Sequence, residues 1–226
     1  MRLTLWWPLA IAALDWVLVT ARPRWRTLER VVKPTAILAL MGWLAWRAAL
    51  AGAWPPVLNW FLAALAASLA GDVLLSLPPR YFVAGLAAFL LAHLAYVVGF
   101  NAEGLPPAGA WFWALPVAGA AGWLGARLVR GLRAGGQPGL VGPVLVYIVA
   151  ISLMAFSALA GLSRPGWPAG AAVLAGVGAV LFMLSDSVLG WDRFVRPVRQ
   201  RDLAVLIPYH LGQICLIAGA AWRWLG

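Results

Sequence analysis

The sequence predicts an all-α integral membrane protein with eight transmembrane helices, and three observations support that class. Of the 226 residues, 64% are hydrophobic and only 11% are charged, whereas a soluble domain is about half apolar and a quarter charged. The apolar residues form runs of about twenty, the length that a helix needs to cross a hydrocarbon core about 30 Å thick. The runs lack the short alternation of a membrane β-barrel. We therefore expect residues 1–226 to form a single eight-helix domain.

Eight apolar runs can be drawn in order, and pairs of proline or glycine residues separate most of them. We place the runs at 3–20, 34–51, 57–77, 81–100, 108–129, 139–161, 168–190 and 203–224. The first run has some features of a secretory signal, but Asp15 interrupts its apolar core and Arg22 follows it. A retained first helix is therefore expected. No gap is long enough to separate soluble domains.

Basic residues alternate between the connections, and this alternation predicts the orientation of the helices. Thirteen of the seventeen lysines and arginines follow odd-numbered runs, and four lie on the opposite side. By the positive-inside rule, the odd-to-even connections face the cytoplasm and both termini face outward, in what we expect to be a bacterial inner membrane. The same distribution accounts for the net charge of +10, so we predict no nucleic-acid partner.

Two acidic residues, Asp72 and Asp186, lie inside the third and seventh runs. A carboxylate at mid-bilayer costs about 2.5–3.5 kcal/mol on insertion scales, so it usually has a partner or a function. The two acids are 114 residues apart, close to half of the 226-residue chain, and a polar cluster follows each acid in the next run. The clusters are His93 and Tyr96 in the first half, and Tyr209, His210 and Gln213 in the second. This pattern is typical of a parallel 4+4 repeat.

Converging acids are compatible with several kinds of chemistry. Two carboxyl groups close together in an apolar setting do not both ionise readily, which leaves an acid and a base for cleaving an acid-labile bond. A zinc site is the first alternative, but no HExxH or similarly close ligand spacing occurs, and one cysteine, Cys215, excludes a cysteine-based site. A proton relay in a transporter is the second alternative, which the repeat favours. In the third, each acid only packs between helices. We predict no metal and no cofactor.

Three segments carry a family resemblance. They are GDVLLSLPPRYFVAGLAAFLLAHLAYVVGF from Gly71, GAVLFMLSDSVLGWDRF from Gly178 and LIPYHLGQICLIAG from Leu206. Together with Lys33–Pro34 at the start of the second run, they resemble the YhhN/TMEM86 family of membrane lysoplasmalogenases. The resemblance extends in order from the second run to the eighth.

The resemblance implies an eight-helix fold in the lipid bilayer and hydrolysis of the vinyl ether bond of lysoplasmalogen, a single-chain lysophospholipid. The products would be a fatty aldehyde and a glycerophospho-headgroup. It implies Asp72, Asp186 and His93 as catalytic residues. The substrate-binding residues expected beside them are Lys33, Tyr96, Ser185, Tyr209 and Gln213. Arg80 and Arg193, on the predicted cytoplasmic side, are expected with Lys33 to meet the lipid phosphate. The sequence carries no prediction of oligomeric state.

Overall fold

The computed structural model describes residues 4–20 and 26–226, with side chains described from residue 33 onward in the second segment. About 85% of the described residues are helical, counting α- and 3₁₀-helices together, and these residues contain no strand. Eight α-helices occur in those residues. They are α1 (Trp6–Thr20), α2 (Arg26–Ala51), α3 (Leu58–Ser76), α4 (Phe82–Phe100), α5 (Ala114–Ala134), α6 (Val141–Leu159), α7 (Ala169–Phe194) and α8 (Arg201–Leu225).

Seven of the helices, α2 to α8, are long and apolar enough to cross a membrane. The first helix, α1, has 15 residues and is shorter than the others. At a rise of about 1.5 Å per residue it extends for roughly 22 Å, less than the hydrocarbon core. All eight predicted helices are therefore present, and by length seven of them qualify as membrane spans.

Several helix ends differ from the predicted runs, because apolarity marks the membrane core and helices continue beyond it. Helix α2 begins at Arg26, well before the predicted start at residue 34, and Pro34 lies inside the helix. Helix α7 continues to Phe194, past the predicted end at residue 190. The run predicted from residue 108 begins with a 3₁₀-helix, Ala108–Trp113, before α5.

The two ends of the bundle can be told apart by polar contacts between helix ends. Arg223, near the end of α8, forms an ion pair with Glu103, which follows α4, at 2.8 Å. Arg164, which follows α6, donates to the Gly104 carbonyl at 2.9 Å. Arg47, near the end of α2, donates to the Gly226 carbonyl at 2.9 Å. The even-numbered helices therefore end together, and the odd-numbered helices end at the opposite face of the bundle.

Helices α7 and α8 pack most closely, through small residues. A Cβ atom built on Gly178 would lie 2.6 Å from the backbone nitrogen of Leu216 and 2.7 Å from the carbonyl oxygen of Gly212. A Cβ atom on Gly219 would lie 2.7 Å from the carbonyl oxygen of Ala171. Small residues at such contacts let helix backbones approach in a membrane, where burial from water supplies no attraction. This pair of helices holds one of the two acids on α7 and its neighbours on α8.

The buried apolar residues form two clusters. The larger cluster extends through most of the bundle and includes Trp43, Phe61 and Phe182. The smaller cluster lies between α5 and α6, and its buried members are Leu124, Leu128, Leu132, Val144 and Ile148. The gap between the two clusters is next to α7.

We predict that Gly178→Leu lowers the stability of the folded protein, because its side chain would enter the α7 and α8 backbones. Overpacking typically costs about 1–3 kcal/mol, and backbone atoms cannot move aside as a flexible side chain can. Thermal unfolding in detergent measures the loss. Gly119→Leu on α5 is the matched control, since nothing lies within 4 Å of a Cβ atom there. Equal melting temperatures for the two variants would contradict the tight packing.

Candidate active site

Asp72 lies one turn before the end of α3, and both of its carboxylate oxygens have donors. The Lys33 Nζ atom, on α2, lies 3.4 Å from Oδ1. The Tyr209 hydroxyl, on α8, donates to Oδ2 at 2.7 Å. Asp72 is 1% exposed, so its partners replace water as the source of hydrogen bonds and charge. An ammonium group and a phenol on the two oxygens act against the burial of the side chain, which by itself favours the neutral acid.

Asp186 lies on α7, and its described partners share one oxygen. The Tyr147 hydroxyl, on α6, donates to Oδ2 through a short hydrogen bond. The His93 Nε2 atom, on α4, lies 3.2 Å from the same Oδ2 atom and 3.1 Å from the Tyr147 oxygen. With the Tyr147 hydroxyl proton directed to Asp186, the Nε2–H tautomer of His93 is the one that can donate to the same oxygen. The second oxygen, Oδ1, remains available, and the side chain is 11% exposed.

The partners of the two acids occupy equivalent places in the two halves of the chain. Each acid contacts a residue from the second helix of its own half and another from the fourth helix of the other half. Lys33 precedes Asp72 by 39 residues (72 − 33), and Tyr147 precedes Asp186 by the same 39 residues. Lys33 and Tyr147 are therefore related by the same 114-residue offset as the acids (147 − 33).

Sequence reasoning missed Tyr147, although a signal for it was present. Tyr147 lies in an apolar run without another ionisable residue, so neither charge nor a motif marks it. The offset between the two acids, applied to Lys33, gives position 147. A residue that supports the first acid thus identifies the position that supports the second.

The two acids line one cavity of about 170 Å³. It lies between α2, α3, α7 and α8, toward the end of the bundle where the odd-numbered helices end. Other candidate residues that line it are Lys33, Ser185 and Tyr209. The hydroxyl of Ser185 donates to the Val205 carbonyl at 2.8 Å, which ties α7 to the first turns of α8. The cavity brings together five of the residues that the sequence predicted.

His93, Tyr96 and Gln213 are not among the residues that line this cavity, although the sequence predicts them in the site. His93 is fully buried, and its Nε2 atom contacts Oδ2 of Asp186 without lining the cavity. The Tyr96 hydroxyl donates to Oε1 of Gln213 through a short hydrogen bond, and Nε2 of Gln213 donates to Ser68 at 2.8 Å. This buried chain connects α4, α8 and α3. Its geometry holds the helices that carry the cavity-lining residues.

The basic residues near the cavity include one that the sequence did not predict. Arg201, which is not among the predicted site residues, lines the cavity and forms an ion pair with Asp192 at 3.0 Å. Arg193 lies over the Phe82 ring at 4.9 Å and lines a second cavity that also contains Arg201. Arg80 lines neither of these two cavities and lies over the Tyr81 ring at 5.0 Å. Arg201 was missed because it is one of four basic residues in a short stretch.

His210 does not join the acids. Its Nδ1 atom accepts a hydrogen bond from the indole of Trp16 at 3.0 Å, and the side chain is 2% exposed. It therefore connects α8 to α1 at a distance from the cavity wall. Within the described residues, no group of three or more His, Cys, Asp or Glu residues is placed to hold a metal ion.

The fold and the cavity define a helical membrane protein with two carboxyl groups, one buried and one partly buried, that have different partners and line a common polar cavity. The sequence model of the YhhN family matches residues 28–220. The chain belongs to the YhhN family.

Curated relatives include proteins that carry an enzyme name. The chain is 32% identical over 190 residues to "Lysoplasmalogenase TMEM86B" of Homo sapiens, covering 84% of this chain and 74% of that protein. It is 35% identical over 170 residues to "Lysoplasmalogenase" of Mycobacterium tuberculosis, covering 71% and 60%. It is 36% identical over 114 residues to the "Uncharacterized membrane protein YhhN" of Escherichia coli O157:H7, covering 50% and 51%. No solved structure shows significant similarity to the chain.

We predict an energetic coupling between Lys33 and Asp72. Removing one partner of a buried ion pair typically costs about 3–5 kcal/mol, because the other charge is left without compensation. Lys33→Met should therefore lower the free energy of unfolding in detergent, and Asp72→Asn should restore part of that loss when the two are combined. Arg80→Met, at an exposed position, is the control. Losses that add without coupling in the double variant would show that the pair is not a buried unit.

Proposed function

We propose that this protein is a membrane hydrolase that cleaves the vinyl ether bond of lysoplasmalogen to a fatty aldehyde and a glycerophospho-headgroup. Membership of the YhhN family and the enzyme names of the human and mycobacterial relatives support this activity. The observation that carries the chemistry is the pair of acids, Asp72 and Asp186, which line one cavity and have unlike partners. A vinyl ether is acid-labile, and its hydrolysis needs a proton donor and a base.

The partners support different roles for the two acids. Lys33 places a positive charge beside Asp72, and both oxygens of that carboxylate accept from donors. At the equivalent position in the other half, Tyr147 supplies a neutral donor to Asp186. Asp186 also keeps Oδ1 free of described partners. We therefore assign Asp72 as the ionised base and Asp186 as the acid, with its proton on Oδ1.

The reaction begins when Asp186 transfers its proton to the vinyl carbon that is β to the ether oxygen. This step gives an oxocarbenium ion, and the new Asp186 carboxylate stabilises that cation as paired carboxylates do in glycosidases. Tyr147 and His93 both donate to Oδ2, so they stabilise the carboxylate as it forms.

Water completes the reaction. A water molecule adds to the cation and gives a proton to Asp72, which produces a hemiacetal. On collapse, the leaving alcohol oxygen takes the proton from Asp72, and the hemiacetal hydroxyl gives its proton to Asp186. The products are an aldehyde and the glycerophospho alcohol, and both acids return to their starting states. Tyr209 fixes the orientation of Asp72 throughout, since its hydroxyl is bonded to Oδ2.

The polar end of the substrate is best accommodated at the mouth of the cavity. Arg201 lines both the acid cavity and the adjoining cavity that contains Arg193. Two guanidinium groups in that position suit a phosphate, and Arg201 would share its charge between that phosphate and its present partners, Asp192 and Asp202. Lys33 is engaged by Asp72, so we assign it to that carboxylate rather than to the headgroup.

We also propose that all eight helices cross the membrane as a parallel 4+4 repeat in one domain. Support comes from the matched partners of the acids and from equivalent packing, because α4 packs on α6 of the second half and α8 packs on α2 of the first. With the positive-inside rule, this arrangement puts both termini outside and the cavity toward the cytoplasm.

Reporter fusions test that orientation. A reporter inserted after Arg133, among basic residues at the end of α5, should behave as cytoplasmic. A reporter after Gly226 should behave as external. The opposite pattern would overturn both the orientation and the cytoplasmic placement of the cavity.

Purified protein in detergent should release aldehyde from lysoplasmalogen without any ion gradient and with chelators present. Asp72→Asn and Asp186→Asn should each lower kcat by about 10²–10⁴, since Asn can neither donate a carboxylic proton nor accept one. Asp186→Asn should remain folded, because Asn keeps the shape of a neutral carboxylic acid. Asp72→Asn leaves Lys33 without its counter-charge, so its kcat is measured on protein whose folding has been checked by thermal unfolding. Glu103→Gln, an acid at the opposite end of the bundle, is the matched control and should keep normal turnover.

Three outcomes would contradict this reading. Near-normal rates in both Asn variants would make the acids packing residues. Loss of activity on chelation would require a metal. Substrate-driven proton flux into liposomes with no aldehyde formed would favour a transporter, a class in which such repeats are common.

A further inference from the structure

We propose that a groove between α4, α5, α6 and α7 binds the hydrocarbon chain of a single-chain lipid and presents the bond next to that chain to Asp186. This inference rests on the proposed function, because it deepens the description of the same site. The groove and the polar cavity are two different spaces, which lie on opposite sides of Asp186. Asp186 and Leu189 line both spaces.

The wall of the groove has the chemistry of an acyl-chain site. Most of its lining is aliphatic or aromatic, including Leu86, Leu128 and Ile148. The polar groups in the wall are already engaged within the protein. The Ser187 hydroxyl donates to the Met183 carbonyl at 2.6 Å, and the Tyr147 hydroxyl donates to Asp186. Asp186 is the group in this wall that keeps an available polar atom, at the end that meets the cavity.

The groove lies where the apolar core is divided. One side of the groove is formed by four members of the smaller cluster, Leu124, Leu128, Val144 and Ile148. The other side is formed by Ile151, which belongs to the larger cluster, and by Met183, which packs on that cluster. Protein interiors are close-packed, and the groove has a volume of about 40 Å³, so a hydrocarbon chain that enters it must push the flexible side chains of its wall apart. An apolar chain needs no hydrogen bond there.

The groove also continues to the outer surface of the bundle. A second apolar space, between α4 and α6, shares Leu86, Val144, Tyr147 and Phe194 with the groove. Its outer wall includes Val83 and Val146, which are 49% and 56% exposed on the face that we assign to lipid. A chain can therefore pass from the bilayer between α4 and α6 to Asp186 without crossing water.

The order of the spaces matches the order of groups along a lysophospholipid. The apolar groove comes first, Asp186 is at the junction, and the cavity with Arg201 lies beyond it. A chain, a labile bond and a phosphate headgroup follow in the same sequence. A second long chain on the same glycerol would have to enter the polar cavity, so the arrangement favours single-chain lipids.

Selectivity for chain length should come from fit rather than from transfer out of water. The substrate already has its chain in a bilayer, which is as apolar as the groove, so burial adds little. A methylene group that would overlap atoms of the groove wall is instead excluded sterically. Discrimination of this kind can reach about tenfold or more per group in an enzyme pocket.

The test uses saturated 1-O-alkyl lysophosphocholines, which lack the vinyl ether and so bind without being cleaved. Probes with a diazirine at the end of an octyl or an octadecyl chain are crosslinked to the purified protein, and the labelled residues are mapped by mass spectrometry. The octadecyl probe should label groove residues on α5 and α6. A diacyl phosphocholine with the same diazirine chain should label the outer, exposed faces instead.

A matched pair of variants tests the wall. Leu86 is half-buried at the junction of the two apolar spaces, and Leu91 is 60% exposed on the same helix and lines neither of them. Leu86→Trp should weaken binding of the octadecyl probe by about tenfold or more, and change octyl binding about twofold or less. Leu91→Trp should change the binding of neither probe. If Leu86→Trp folds poorly, Leu86→Ala is the variant to measure, and it should keep octadecyl binding because it does not block the groove.

Equal labelling of the groove by the diacyl probe would overturn the inference, because the groove would then be an ordinary lipid crevice. Unchanged chain-length dependence in folded Leu86→Trp would also overturn it. If the groove is labelled but lysoplasmalogen releases no aldehyde, the chain-binding groove is supported and the hydrolase activity is contradicted. If aldehyde is released but the groove is not labelled, the hydrolase activity is supported and the chain-binding groove is contradicted.

Discussion

A carboxyl group inside a helical membrane bundle must obtain its hydrogen bonds and its charge compensation from other helices, since the bilayer offers neither. Asp72 obtains them from α2 and α8, and Asp186 from α6 and α4. Each acid thus connects a neighbouring helix of its own half to the last helix of the other half. The cost of the two buried carboxyl groups therefore fixes how the halves meet, and the close small-residue packing of α7 on α8 is compatible with that arrangement.

Equivalent positions with unlike side chains give the two acids different chemistry. Lys33 and Tyr147 are related by the 114-residue offset, but one supplies an ammonium charge and the other a neutral phenol. In the proposed mechanism, the ammonium group supports Asp72 as the base, and the neutral phenol supports Asp186 as the acid. Two helix groups of the proposed repeat would in this way supply both an acid and a base without a new backbone geometry.

The sequence predicts those features whose free-energy cost is local, and it misses those that depend on contacts between distant helices. Apolar length predicts all eight helices, and the cost of a buried charge predicts Asp72 and Asp186 as partners in one cavity. Helix ends are less predictable, because α2 continues into charged residues that apolarity does not mark. Tyr96 has the composition of a site residue, but its direction is decided by Gln213 on α8, and it points into a structural chain. Such directions follow only from packing.

The position of Asp186, between an apolar groove and a polar cavity, bears on how water is used. Protonation of a vinyl ether gives a cation that any nearby water can capture, so water must be present on one side only. In this structure the groove side is lined by aliphatic residues, while Asp72 and Arg201 face the other space. In the proposed mechanism, water that enters from the polar side meets Asp72 before it reaches the cation. The acid would then act in an apolar setting that strengthens its electrostatic effect, while the base would activate water from the opposite side.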